Sequence, residues 1–380
     1  MNNIDKLIQQ LCPDGVEYSN LGEVAKISNG KDHKNLPDGH IPVYGSGGIM
    51  RYANEYIFDK ESVLIPRKGS IGNIFYVETP FWTVDTIFYT RINCDLVSPK
   101  FLYYFLKTQH LEDLNFAGGV PSLTKTILDK VNIPIPPLPI QQEIVTILDK
   151  FTQLQAELQA ELQARRAQYE YYRNELLNFE GKEVEWKTLG EVCIVSSGGT
   201  PSKAEKSYWT NGTIPWLKSE VCKEKSVFSA KDNITELGLK KSGAKLFCQS
   251  TTLMALVGAT KCKTAFLEFE ATTNQNIAGI KSKDENLLLD KFVFYYLMNL
   301  YKELIKNLGQ YDMLNLGQIR EYKIPIPPLA EQNRIVAILD KFDKLVNDIS
   351  EGLPAEIQAR QKQYEYYRGK LLEFEPLRND

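Results

Sequence analysis

The sequence predicts an α+β chain in which two mixed α/β domains are joined by two long helices, the helices pairing as an antiparallel coiled coil and the whole forming a pseudo-twofold internal repeat. Three observations lead there. The first is a duplicated framework: IPIPPLPIQQEIVTILDKF from Ile133 returns as IPIPPLAEQNRIVAILDKF from Ile324, and QYEYYRNELLNFE from Gln168 returns as QYEYYRGKLLEFE from Gln363. The second is a helical period inside those copies. The third is the β-like texture of the two unlike stretches between them.

Taken in order, residues 1–132 form the first variable domain, opened by a short N-terminal helix. SVLIPRKG, NIFYVE and TIFYTRIN read as strands separated by turns such as PDGHIPVYGSGGI, and a helix closes the domain near Phe101–Leu106. Residues 133–180 are the first conserved helical segment. Prolines hold IPIPPL extended, after which Ile140, Ile144, Ile147, Phe151, Leu154, Leu158, Leu162, Tyr169, Tyr172, Leu176 and Phe179 trace one apolar stripe. Such a helix is roughly 58 Å long and needs a partner stripe. Residues 181–323 form the second variable domain, with a closing helix expected over Phe292–Leu304. VEWKTLGEV from Val184 echoes VEYSNLGEV from Val16, but outside such framework matches the two variable domains share little sequence. Residues 324–380 are the second helical segment. There Gly352-Leu353-Pro354 is expected to break the helix, whereas the first copy has no such interruption.

Composition limits the function. With 43% hydrophobic and 24% charged residues, the 380-residue chain can bury sizeable cores. No apolar run approaches the roughly 20 residues of a membrane span, and MNNIDKLIQQL lacks the features of a secretory signal, so a cytoplasmic protein is expected. Cys12, Cys94, Cys193, Cys222, Cys248 and Cys262 are scattered, with no CxxC pair, which argues against a zinc site. The net charge of −3 is unevenly distributed. Residues 15–132 carry 12 basic and 13 acidic groups and residues 181–323 carry 20 and 16, while the two helical segments stand at −3 and −2. The acidity therefore sits on the scaffold, and the second variable domain is locally basic. A chain with this balance is expected to attract a polyanion only weakly on its own.

The order of variable and conserved segments, the repeated PIPPL..Q..IV.ILD and QYEYYR motifs, the SSGGTPSK…YWTNGTIPW run (Ser196–Trp216) and the YGSGGI run (Tyr44–Ile49) together resemble the specificity subunit of type I restriction-modification systems, over essentially the whole chain. The resemblance implies that each variable segment is a target recognition domain reading one half of a split, asymmetric sequence in double-stranded DNA. It implies that the coiled coil acts as a ruler and docks two copies of a methyltransferase subunit, with restriction subunits joining through them. S-adenosylmethionine, ATP and Mg are expected on those partners, with adenine methylation and ATP-dependent cleavage as activities of the assembly, and no cofactor or metal is expected on this chain. Consistent with a non-catalytic chain, no GxxxxGK[ST], NPP[YF] or PD…ExK motif can be placed, and nothing links His33, His40 or His110 to a nucleophile.

Residue chemistry then supplies candidates. For phosphates these are Lys31, Lys34, Arg51, Arg67 and Lys68 in the first domain, and Lys203, Lys206, Lys218, Lys240, Lys241 and Lys261 in the second. For base edges they are Tyr44, Ser46 and Ser70, then Thr200, Ser202, Asn274 and Gln275. Trp82, Trp209 and Trp216 read as core. The repeated hexamer nominates Tyr169, Tyr171, Tyr172 and Arg173, with Tyr364, Tyr366, Tyr367 and Arg368, for partner contact. Two alternative functions share these features: a protein-binding coiled-coil adaptor, and the specificity subunit of a modification-only system. Finally, LQAELQAELQA (Leu154–Ala164) repeats QAEL in tandem where the first helical segment is four residues shorter than the second. One unit is about 6 Å and 1.1 turns of helix, so adding or removing one keeps the stripe nearly in phase.

Overall fold

A computed structural model describes residues 3–114, 122–308, 313–348 and 350–378. The chain divides into two compact units, one of residues 1–157 with 357–380 and the other of residues 158–356. Each unit therefore combines one variable domain with a stretch of both conserved helical segments.

The long helix Leu138–Leu177 is continuous, as the uninterrupted stripe requires. The second segment is broken into Leu329–Asn347 and Leu353–Leu371. Gly352 lies at the break, where a Cβ would stand 2.5 Å from the Lys344 carbonyl, so only glycine permits that closeness. Most of the stripe is buried or half-buried, but Tyr172 is exposed and Phe179 lies past the helix end.

In the first unit the opening strand Glu17–Asn20 pairs antiparallel with Asn132–Ile135, the extended stretch that the prolines of IPIPPL enforce. Inside this closure lie two sheets. An antiparallel one runs in the order Ala25–Asn29, Ile87–Ile92, Ser62–Pro66, Phe75–Val77, and a second runs Gly48–Ala53, Asp38–Gly45, Trp82–Thr83. Helix Pro99–Leu106 covers the core through Phe101, Leu102 and Phe105, and Ile140, Ile144, Leu148 and Tyr364 of the helical segments close the same cluster.

The second unit repeats this plan. Glu185–Thr188 pairs with Lys323–Ile326 in the corresponding register. The main sheet runs Cys193–Ser197, Ile277–Ser282, Thr252–Ala255, Thr264–Leu267, and gains a parallel edge strand, Lys225–Val227. The smaller sheet is Asp232–Ile234, Ile214–Leu217, Ala271–Thr273, Leu246–Phe247. The closing helix differs from expectation: it is two helices, Asp290–Asn299 and Tyr301–Asn307, turning at Leu300. Two variable domains that share little sequence thus share one topology.

The helical segments pack the same way in both units. In the first, Phe151 stacks on Tyr367 at 5.8 Å and lies 6.3 Å from Tyr364, and Gln155 donates to Gln361 one turn further along the long helix as the partner runs back, so the pairing is antiparallel. In the second, Phe342 stacks on Tyr169 and Tyr172 at 6.0 and 5.5 Å. Phe342 is the repeat equivalent of Phe151, and Tyr169 and Tyr172 are those of Tyr364 and Tyr367.

Candidate nucleic-acid interface

A shared backbone cradle carries the candidate residues in both units. Gly30 and Gly198 each let the strand opposite come closer than any side chain would allow: a Cβ would stand 2.5 Å from the Thr83 carbonyl and 2.3 Å from that of Thr273, respectively. The next residue's N–H donates to that carbonyl, Lys31 to Thr83 at 2.9 Å and Gly199 to Thr273 at 2.8 Å. An indole then donates to its carbonyl, Trp82 to Lys31 and Trp216 to Gly199, both at 3.1 Å. Both tryptophans are buried, as expected, but they come from opposite strands of a parallel pair, with Val43 in register with Trp82 and Trp216 with Thr272.

In the first unit this cradle opens on a cleft of about 670 Å³ lined by Lys34, Gly45, Ser46, Met50, Asp85 and Thr86. The exposed side chain of Lys31 leaves from the fixed backbone beside it, and the loop bearing Lys68 and Ser70 adjoins Ser46, whose carbonyl accepts the Asn73 amide at 3.3 Å. Three candidates make contacts within the fold. Tyr44 packs on Phe75 at 5.7 Å, and burial pushes its phenol above the usual range. Arg51 is bound to Asp38 at 2.6 Å and to the Leu36 carbonyl at 2.9 Å. Arg67 lies over the Phe88 ring at 5.0 Å with its Nε buried.

In the second unit Thr200 donates to Gln275 Oε1 at 2.6 Å, fixing an exposed amide at the rim. Exposed Ser202 accepts the Trp209 indole on its carbonyl at 3.1 Å, and Trp209 is half-buried, edge-on to Trp216. Lys203, Lys206, Lys240 and Lys241 are exposed; the helix carrying Lys240 packs on the short turn Lys206–Tyr208, so these cations share one region. Three candidates again make contacts within the fold. Asn274 is a turn former, its Oδ1 accepting the Asn276 N–H at 3.2 Å. Lys218 is paired with Asp232 at 2.7 Å, which raises its pKa. Lys261 is half-buried in a tight turn, its N–H donating to Gly258.

The repeated hexamer splits by face. Tyr169 and Tyr364 are buried in the coil, and Arg173 and Arg368 lie over them at 5.4 and 5.3 Å, so these four are packing residues. Tyr171 and Tyr366 are 60% and 56% exposed, each edge-on to its neighbour, Tyr172 or Tyr367. Residue-type reasoning overlooked two clamps, one buried and one partly exposed, whose signal was present in PIPPL..Q..IV.ILD. Gln141 and Gln332 are one pair, described below. In the other, Asp149 accepts Tyr104 at 2.6 Å and pairs with Lys100 at 2.8 Å, while Asp340 accepts Tyr295 at 2.5 Å with Lys291 beside it at 3.9 Å.

The sequence profile of the type I restriction modification DNA specificity domain matches residues 13–165 and 181–359. The chain belongs to the family of type I restriction-modification specificity subunits. This specificity subunit is 37% identical to the specificity subunit of the type I restriction enzyme EcoR124I/EcoR124II of Escherichia coli, across 98% of this chain and 97% of that one. Its fold is that of the S subunit from M. genitalium, with a TM-score of 0.62 at 15% identity, covering 94% and 96% of the two chains. A chain solved in a study of complex assembly and conformational transition of the type I R-M system gives 0.67 at 18% identity, with 95% and 98% covered. Among the described residues, no helix of the specificity subunit is long and apolar enough to cross a membrane, and no His/Cys/Asp/Glu group could hold a metal ion.

Proposed function

We propose that this specificity subunit reads a bipartite, asymmetric DNA site, one half with each variable domain, and that its paired helices dock two methyltransferase subunits, through which restriction subunits join. One observation carries the reading. The same Gly30/Gly198 cradle is followed by Val84-Asp85-Thr86 in one unit and Asn274-Gln275-Asn276 in the other, so equivalent positions offer different chemistry to a common ligand. Phosphates would be met by Lys31, Lys34 and Lys68 in one half and by Lys203, Lys206, Lys240 and Lys241 in the other, with Ser46, Ser70, Thr200, Ser202 and Gln275 toward the bases. The chain supplies recognition and no chemistry of its own; S-adenosylmethionine, ATP and Mg belong to the partners. The domains run 1–132 and 181–323, with helical segments 133–180 and 324–380 between and after them. The QAEL units, which straddle the boundary between the compact units, set how far apart the two halves are read.

Methylome sequencing of the host before and after deletion of the gene tests this. The expected result is loss of one split, asymmetric motif. Loss of a continuous motif, or of none, overturns the reading.

A further inference from the structure

The first variable domain carries no net positive charge, yet it exposes apolar side chains side by side on one hairpin. Strand Gly48–Ala53 follows a tight turn, with Gly48 at φ +117° and no atom within 4 Å of where a Cβ of Gly47 or Gly48 would stand, so the tip projects into open space. Ile49 and Met50 are 49% and 59% exposed, and Tyr52 is 51% exposed. The normal strand alternation is broken there: a register irregularity between Val43 and Tyr44 leaves two successive apolar side chains outside. Exposed neighbouring apolar groups on a soluble protein mark an interaction surface.

Charge identifies the occupant. Met50 lines the cleft together with Lys34, and its thioether lies across Gly45, where a Cβ would stand 2.3 Å from Sδ. The Lys68-Gly69-Ser70 loop meets Ser46, another residue of that cleft, whose Oγ is 3.2 Å from the Cβ position of Gly69. An uncharged apolar tip thus stands near Lys34 and near the loop that carries Lys68, a pattern that fits a duplex: cations toward phosphates and an uncharged group toward the base edges. The apolar feature of a base edge is the thymine C5-methyl in the major groove.

We infer that the Ile49-Met50 hairpin tip reads thymine methyl groups in the half-site of the first variable domain. The inference rests on the proposed DNA-reading role and adds the chemistry of one half. Polar Thr200 and Gln275 give the second domain a hydrogen-bonding readout, whereas the first adds apolar contact to what Ser46 and Ser70 offer.

The test uses the full chain assembled with its methyltransferase subunits and a duplex carrying the motif found by methylome sequencing, with each thymine replaced in turn by deoxyuridine, which removes only the methyl group. At one or more positions of one half-site, affinity is expected to fall about fourfold per contacted methyl. That loss should disappear in Met50→Ala or Ile49→Ala, which are surface changes that leave the fold intact. Tolerance of deoxyuridine throughout, penalties that persist unchanged in both variants, or a half-site pair without thymine overturns the inference. So does loss of methyltransferase assembly in the variants with unchanged DNA affinity per assembled complex, which would make the tip a protein contact. Absence of any sequence preference in the wild-type assembly is a separate outcome, and it would refute the underlying DNA-reading role.

Discussion

Gln141 Oε1 accepts the backbone N–H of Ser98 at 2.7 Å, from a side chain with no exposed surface. Its Nε2 donates to the carbonyls of Leu96 and Pro136 at 2.9 and 2.7 Å. Gln332 does the same with Leu289, Leu287 and Pro327. Each glutamine thus ties the start of a variable domain's closing helix to the conserved segment. Gln141→Leu would leave backbone groups buried without partners, and we expect a loss of about 2–4 kcal/mol by denaturant titration. A loss under about 0.5 kcal/mol would mean that the clamp is dispensable.

The repeat makes an internal control for pH. Asp343 in the second unit corresponds to Thr152 in the first. Burial pushes the Asp343 carboxyl up, although Asn347 donates to it at 2.9 Å and Lys291 opposes the shift; Asp340 and Asp348 add to it. A folded-state pKa above the unfolded value favours the fold when protonated, so stability falls as pH rises from about 4 through the folded pKa. Asp343→Thr should therefore raise the unfolding midpoint at pH 7 and flatten its pH dependence over the acid range. An unchanged pH profile contradicts this.

Insertion or removal of one QAEL unit should lengthen or shorten the spacer of the methylated motif by one to two base pairs, for about 6 Å of helix, with both half-sites unchanged. Leu158 and Leu162 are buried, so units must be changed whole to keep them inside. Methylome sequencing reads the result; an unchanged spacer defeats the ruler idea.

Charge and specificity should separate in the second domain. Lys203→Ala or Lys241→Ala should weaken binding alike for all sequences and lower the slope of log affinity against log salt by about one. Gln275→Ala should relax one base position, costing about 1–3 kcal/mol of discrimination. A uniform loss for Gln275→Ala would reassign it to the backbone.

Tyr171 and Tyr366 occupy equivalent exposed sites. Tyr171→Ala and Tyr366→Ala singly should each reduce methyltransferase binding, and the double variant should abolish it, with thermal stability changed by less than about 1 kcal/mol. Size-exclusion chromatography of the mixture checks the stoichiometry. Full assembly of the double variant would clear this face of the role.

The helices, their break at Gly352 and the extended proline stretches were legible because period and backbone restriction are local properties. The common topology of the variable domains was not, because it resides in carbonyl-to-amide contacts such as Lys31 to Thr83 that leave no side-chain signature. Residue type likewise nominated Arg51, Arg67 and Lys218 without showing that Asp38, Phe88 and Asp232 engage them in the fold. Conversely, nothing in the sequence singled out Met50 beside Ile49, because the register irregularity that turns both outward is a property of strand pairing.

The indoles that serve the two cradles arrive from neighbouring strands, and this restricts how such genes can be shuffled. A hybrid domain that switches from the first sequence to the second between these strands would pair Val43 with Thr272 and leave the cradle carbonyl without an indole; the reciprocal hybrid would set Trp216 beside Trp82, two indoles for one acceptor. Viable crossovers therefore belong in the duplicated framework, and new specificities should be acquired as whole domains.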